Sequence, residues 1–116
     1  MTIEGYIIKY LSECESLAGV PVSGDIPHDI PSKFITVEKT GSGRADHIDA
    51  ATIAVQSWAA TRAEAAALNE TVKAAMDAAI SKQEISRSEL NSDYNYPDLS
   101  RNHPRYQAVY EIIYFL

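Results

Sequence analysis

The chain has 116 residues and a formal net charge of −6, so it is long enough to bury one hydrophobic core and too acidic to favour binding of phosphates. Its 46% hydrophobic and 22% charged residues are typical of a folded domain and disfavour a disordered one. The only cysteine, Cys14, excludes an internal disulfide and indicates a reducing compartment. No apolar run approaches the roughly 20 residues that cross a bilayer. We therefore expect a single soluble domain over residues 1–116.

Apolar side chains recur on one helical face at the start of the chain. Their steps of three and four residues predict an amphipathic helix from Ile3 to Leu17, followed by Gly19 as a stop signal. The buried stripe is expected to contain Ile3, Ile7, Tyr10, Cys14 and Leu17. Cys14 is accordingly interpreted as a small core residue and not as a nucleophile.

A proline-rich segment, Val20–Ser32, predicts an irregular loop before two strands at Phe34–Lys39 and Ala51–Trp58. Glycines between the strands predict an antiparallel hairpin with an extended, flexible tip and a Gly41-Ser42-Gly43 turn. We expect this tip to be a docking loop. Its candidate residues are Gly41, Ser42, Gly43, Arg44, Asp46 and His47.

A second helix is predicted from Arg62 to Ser81. Thr61 and Glu64 have the three-residue spacing of a capping box, in which each side chain bonds to the backbone N–H of the other residue. Apolar residues follow every fourth position and define the buried face of this helix. They are Leu68, Val72, Met76 and Ile80.

The last third of the chain predicts two more strands. Ile85–Leu90 indicates a short strand, 91–104 is rich in turn residues, and Tyr106–Phe115 alternates with apolar residues on both faces. The predicted fold is therefore α+β, with an antiparallel or mixed sheet packed against an N-terminal helix and a long central helix.

No pattern in the chain indicates catalysis, a cofactor or a metal. The three histidines have no metal-ligand spacing, and the segment Asp46-His47-Ile48-Asp49 is interpreted as a chance grouping in a turn. Nucleophile-elbow and phosphate-loop motifs are absent. We predict a protein that is not an enzyme.

Tyrosine is the unusual feature of the composition. Five of the seven tyrosines fall after residue 93, and tyrosine is enriched at protein interfaces because it combines an apolar ring with a polar tip. We expect an interface that contains Arg105, Tyr106, Tyr110 and Tyr114. The alternative is that these tyrosines are half-buried residues of an amphipathic sheet.

The order of motifs resembles that of the small tail-terminator, or tail-completion, proteins of long-tailed bacteriophages and prophages. The similarity covers nearly the whole chain, from the amphipathic N-terminal helix and the loop ending in Pro31 to the final strand. It includes the strands around Phe34–Glu38 and Ala54–Ala59, the helix opened by Thr61-Arg62 with Ala65 and Leu68, and the segments Tyr96-Pro97-Asp98 and Arg105-Tyr106.

This resemblance implies a subunit that forms a ring, commonly of six copies. The ring caps the tail tube, ends its polymerisation and offers a docking surface to a head-completion protein, while DNA only passes through. It implies a virion protein assembled in the host cytoplasm, whose partners are itself, the tail-tube protein and the head-completion protein. A head–tail connector or minor tail protein is the nearest alternative, and a small α+β ligand-binding domain or enzyme is a different class.

Overall fold

The computed structural model describes all 116 residues and has an α+β fold, with two α-helices and a mixed five-stranded sheet. The helices are α1 (Ile3–Ser12) and α2 (Arg62–Asp77). A separate 3₁₀ turn, Glu15–Leu17, follows α1 after two residues, and a 3₁₀ turn, Ala78–Ser81, continues α2 directly. The strands are β1 (Val22–Ser23), β2 (Lys33–Ala45), β3 (Ile48–Ala59), β4 (Ile85–Asn95) and β5 (Arg105–Tyr114). Their order in the sheet is β1-β2-β3-β5-β4, and only β1 and β2 run parallel.

The first helix is shorter than predicted. It ends at Ser12 because Cys14 takes an extended conformation, after which the chain makes a separate 3₁₀ turn that buries Leu17. The buried face of α1 is Ile3, Ile7 and Leu11. Of the predicted stripe, Ile3, Ile7 and Leu17 are buried as expected, whereas Tyr10 and Cys14 are half-buried and pack against the margin of the core.

The second helix starts where the sequence predicts. Thr61 is the N-cap, and its hydroxyl accepts a hydrogen bond from the Glu64 backbone N–H at 3.2 Å. The Glu64 carboxylate accepts from the Thr61 hydroxyl at 3.1 Å, whereas a capping box would direct it to the Thr61 backbone. The α-helix ends at Asp77, so Ile80 falls in the 3₁₀ turn and is 58% exposed instead of buried.

The hairpin of β2 and β3 is confirmed, but its tip is a tight turn. Pairing continues to Ala45 and Ile48, and only Asp46 and His47 lie between the strands. Both have positive φ, 52° and 64°, as a two-residue type I′ turn requires. The predicted turn at Gly41–Gly43 was wrong, because these residues continue β2 after a bulge at Thr40.

The other differences concern the edges of the sheet. A short strand, β1, interrupts the predicted loop, where the Ile35 N–H donates to the Pro21 carbonyl at 2.8 Å. At the opposite edge β4 runs to Asn95, five residues beyond the predicted strand, with register shifts near Ser86 and Asn91. Polar residues dominate β4 because an edge strand with an uncovered face does not need an apolar pattern.

One hydrophobic core holds these elements together. The apolar residues of both helices pack with alternate residues of the sheet, among them Val37, Val55 and Ile112, so the helices share one face of it. Neither helix has the length and hydropathy needed to cross a bilayer.

Candidate docking surface

The opposite face of the sheet carries no helix, and we call it the open face. Paired residues of neighbouring strands point to the same side, so the register assigns its members directly. Those used below are Phe34, Thr36 and Glu38 of β2; Ala50, Thr52, Gln56 and Trp58 of β3; Arg105, Gln107, Val109, Glu111 and Ile113 of β5; and Arg87, Glu89 and Tyr94 of β4.

A row of side-chain hydrogen bonds, the polar ladder, crosses four strands in the middle of this face. Trp58 Nε1 donates to Thr36 Oγ1 at 3.0 Å, and Thr36 Oγ1 donates to Gln56 Oε1 at 2.5 Å. Gln56 Nε2 donates to Gln107 Oε1 at 2.7 Å, and Gln107 Nε2 donates to the Tyr94 hydroxyl oxygen at 2.6 Å. The ladder joins three buried side chains, Trp58, Thr36 and Gln56, to Gln107 and Tyr94 at the surface.

The hydrogen bonds of the polar ladder form a head-to-tail series, in which each accepting side chain donates to the next. The order is Trp58, Thr36, Gln56, Gln107 and Tyr94. Hydrogen bonds in such a chain polarise one another, which strengthens each of them. The Tyr94 hydroxyl ends the chain, and its proton has no acceptor within the protein. The ladder therefore presents one oriented donor at the exposed margin of the sheet.

Next to the polar ladder, Arg105 is held between two aromatic rings. Its guanidinium carbon lies 4.6 Å from the ring centroid of Trp58 and 4.3 Å from that of Tyr96. Arg105 Nε donates to the Tyr96 carbonyl at 2.6 Å. Cation–π contacts of this kind are worth about 0.5–1 kcal/mol at exposed sites and about 2 kcal/mol when desolvated. We call these three residues the arginine clamp.

The segment 97–104 folds over one end of the open face and is organised by Asp98. The Asp98 carboxylate accepts from the Ser100 hydroxyl at 2.6 Å and from Arg101 Nη1 at 2.6 Å. These two hydrogen bonds, first that of Ser100 and then that of Arg101, lower the pKa of Asp98 well below its usual value. Backbone bonds in both directions between Asp98 and His103 close the segment.

His103 brings this segment onto the sheet. Its ring lies 6.0 Å from that of Phe34 and 5.6 Å from that of Trp58, and the latter two rings are stacked at 5.1 Å. Phe34 and Trp58 are consequently buried although they lie on the face without helices. The aromatic group anchors one end of the docking surface.

The other end of the open face is partly apolar and uncovered. Val109 and Ile113 are half-buried on β5, where they pair with Ala54 and Ala50 of β3. Glu111 lies between them on the same face and accepts from Thr52 at 3.0 Å, and Arg87 pairs with Glu89 at 3.1 Å on the neighbouring strand. This end of the open face is therefore a mixture of apolar and charged positions, as protein-contact surfaces commonly are.

A groove of about 370 Å³ lies on the other side of the molecule, between α1 and the start of β4. Its tyrosines are already committed: Tyr6 donates to Glu84 at 2.7 Å, and Tyr10 donates to the Ala75 carbonyl at 2.6 Å. Burial, and then the contacts with Glu84 and Cys14 respectively, raise the pKa of each tyrosine to about 12. The other charged residues of the lining are Lys9, Glu13 and Lys82.

The four predicted interface residues do not share a surface. Arg105 lies on the open face, whereas Tyr106 and Tyr114 lie half-buried on the helix side at the two ends of β5. Tyr110 is fully buried in the core, where its hydroxyl donates to Asp77 at 3.0 Å. Its place at an interface was therefore wrong, and the sheet-packing interpretation holds for this tyrosine.

The predicted docking-loop residues are divided between a strand and a turn. Gly41, Ser42, Gly43 and Arg44 are paired within β2, and Asp46 and His47 form the turn. Arg44 Nε donates to Asp49 at 2.6 Å, and this contact lowers the pKa of Asp49 and raises that of Arg44. The tip is thus an ordered hairpin end.

Sequence reasoning missed most of the polar ladder. Thr36 and Gln56 are polar residues inside apolar strand runs, and this was the available signal for a buried hydrogen-bonded pair. Gln107 and Tyr94 could not be placed beside them, because β4 was predicted to end at Leu90.

Comparison with known proteins leaves the geometry as the main evidence. No protein-family model matches the chain, and no curated protein matches it significantly.

Proposed function

We propose that this chain is a structural subunit of a long-tailed bacteriophage, acting as the tail terminator. In this role it caps the finished tail tube as a ring, ends polymerisation and provides the surface on which the head docks. The proposal joins the order of sequence motifs, which resembles tail-terminator proteins, to a fold with one face left open.

The open face is the observation that carries the proposal. It combines two uncovered apolar positions, Val109 and Ile113, with a hydrogen-bonded polar ladder and a clamped arginine. A catalytic pocket would instead be concave and would hold convergent reactive groups. An open surface that mixes apolar, polar and charged residues suits contact with another protein.

The arrangement of elements fits this role. The N-terminal helix and the long central helix support the sheet from one side, which leaves the open face available. A ring needs a heterologous contact between copies, and a closed ring leaves no unsatisfied surface at its ends. We place the partners as further copies of this chain, commonly six in the ring, with the tail-tube and head-completion proteins above and below.

DNA would pass through such a ring without being held. The net charge of −6 opposes tight contact with phosphates, as a passage requires. The protein would act in the virion, at the junction of head and tail. A head–tail connector or minor tail protein would use the same surface at a neighbouring position.

Imaging of tails from a phage that lacks the gene for this chain tests the proposal. We expect tubes of variable and excessive length that fail to join heads, and rescue when the chain is supplied in trans. Tubes of normal, uniform length that fail to join heads would indicate the connector role. Normal tails that join heads efficiently would overturn the assignment.

A further inference from the structure

Arg105 is fixed in place but has unused binding capacity. Its two terminal nitrogens, Nη1 and Nη2, have no hydrogen-bond or salt-bridge partner in the protein, while Nε is held by the Tyr96 carbonyl. The rings of Trp58 and Tyr96 confine the guanidinium plane. A side chain that normally samples many rotamers has therefore already lost much of its conformational freedom.

The guanidinium of Arg105 is chemically suited to binding a carboxylate. A guanidinium presents N–H groups in a planar fork, and a carboxylate can accept two of them in parallel. Because Arg105 is held in advance, binding costs less side-chain entropy than it would for a free arginine.

A nucleic-acid backbone would fit this face poorly. Glu38, Glu89 and Glu111 lie on the same face as Arg105, and Arg87 is already paired with Glu89. A chain of phosphates would lie against these carboxylates, whereas one acidic side chain would reach the arginine alone. The charges of the face therefore favour a single carboxylate on a folded or extended protein segment.

We infer that the arginine clamp is a docking site for an acidic side chain carried by a different protein, with Arg105 as the anchor and the rest of the open face around it. This inference rests on the proposed assembly function for the identity of the neighbour as a virion protein. It adds the chemical class of the group that binds Arg105, which the proposal of a ring does not specify.

Trp58 provides a direct measurement, because it is the only tryptophan and forms one wall of the arginine clamp. We would titrate the full chain at low ionic strength with a Gly-Ser hexapeptide that carries a single glutamate and follow Trp58 fluorescence. The same Gly-Ser peptide without the glutamate and a twelve-residue oligothymidylate are the comparison probes. The expected result is a saturable change with the glutamate peptide alone.

Matched variants distinguish the paired N–H groups of the Arg105 guanidinium from the effect of positive charge alone. Arg105→Gln should weaken binding of the glutamate peptide about tenfold or more, since a charge-assisted hydrogen bond is lost. Arg105→Lys should also weaken it, because lysine keeps the charge but lacks the fork. Arg87→Gln removes a positive charge from the same face outside the arginine clamp and should leave binding unchanged. Circular dichroism verifies that each variant folds. Calorimetric titration measures peptide binding independently of Trp58 fluorescence.

Four results would overturn the inference. They are no response to the glutamate peptide, equal weakening by Arg87→Gln and Arg105→Gln, tighter binding of oligothymidylate, and a Trp58 change with protein concentration alone that Arg105→Gln abolishes. The last would identify a second copy as the occupant. Any of them can occur while tails of the gene-deleted phage are overlong, so failure of the clamp and failure of the proposed function are distinguishable.

Discussion

At the scale of single residues, Thr36 determines whether the polar ladder holds. Its hydroxyl accepts from Trp58 Nε1 and donates to Gln56 Oε1, so one oxygen serves two buried neighbours. A buried polar group left without a partner costs more than its hydrogen bond contributes when it is made. The ladder is consequently most sensitive at this position.

Replacing Thr36 with valine keeps the shape of the side chain and removes its hydroxyl. We expect Thr36→Val to lower the free energy of unfolding by about 1–3 kcal/mol, because Trp58 Nε1 and Gln56 Oε1 lose their partner. Urea denaturation measures this. Thr40→Val, at an exposed threonine of the same strand, is the control and should stay within about 0.5 kcal/mol of the native chain. Equal effects of the two substitutions would contradict the importance of the ladder.

At the scale of elements, the β2–β3 hairpin shows what the sequence could predict. The two β-branched runs predicted both strands, but the glycines at 41 and 43 indicated a turn that the structure places at Asp46 and His47. Pairing with β3 keeps these glycines in an extended strand, since Gly41 and Gly43 lie opposite Thr52 and Ala50. Local composition contains no information about that long-range pairing.

The turn itself can be tested at His47. Its φ of 64° is inaccessible to proline, whose ring fixes φ near −65°. We expect His47→Pro to destabilise the chain by more than about 1 kcal/mol. His47→Gly suits the conformation and should not lower the midpoint of thermal unfolding. A His47→Pro variant as stable as His47→Gly would show that the turn is elsewhere.

The segment 97–104 makes stability depend on pH through Asp98. The pKa of Asp98 is lowered in the folded chain, chiefly by the Ser100 hydroxyl and Arg101. Its contribution to stability is therefore complete above the ordinary value of 3.8 and is lost as the pH falls through the lower folded pKa.

Comparison with an Asp98→Asn variant isolates this effect from those of the other acidic residues. The native chain should be more stable than the variant at about pH 6, and the difference should shrink below about pH 4. Denaturant unfolding at each pH, followed by Trp58 fluorescence, measures the difference. A constant difference across this range would contradict the role of the Asp98 carboxylate.

At the scale of the whole molecule, the sheet is covered on one face and open on the other. The α+β class and both helices followed from apolar periodicity in the sequence. The open face did not follow from the sequence, because the apolar residues Val109 and Ile113 indicated that other elements cover both sides of β5. Which side of a strand receives helices depends on the packing of distant elements, and apolar residues on the other side are then free to contact a partner.

One measurement tests the central claim that this open face is an assembly surface. Val109→Asp replaces an apolar residue of this face with a charge beside Glu111, and Ala63→Asp places the same charge on an exposed position in the first turn of α2, where the helix dipole favours it. Each variant is supplied to phage lacking the gene, and tail lengths and joined heads are counted by electron microscopy. We expect both chains to fold, Ala63→Asp to restore uniform tails, and Val109→Asp to leave them overlong and headless. Full restoration by a folded Val109→Asp chain would contradict the account.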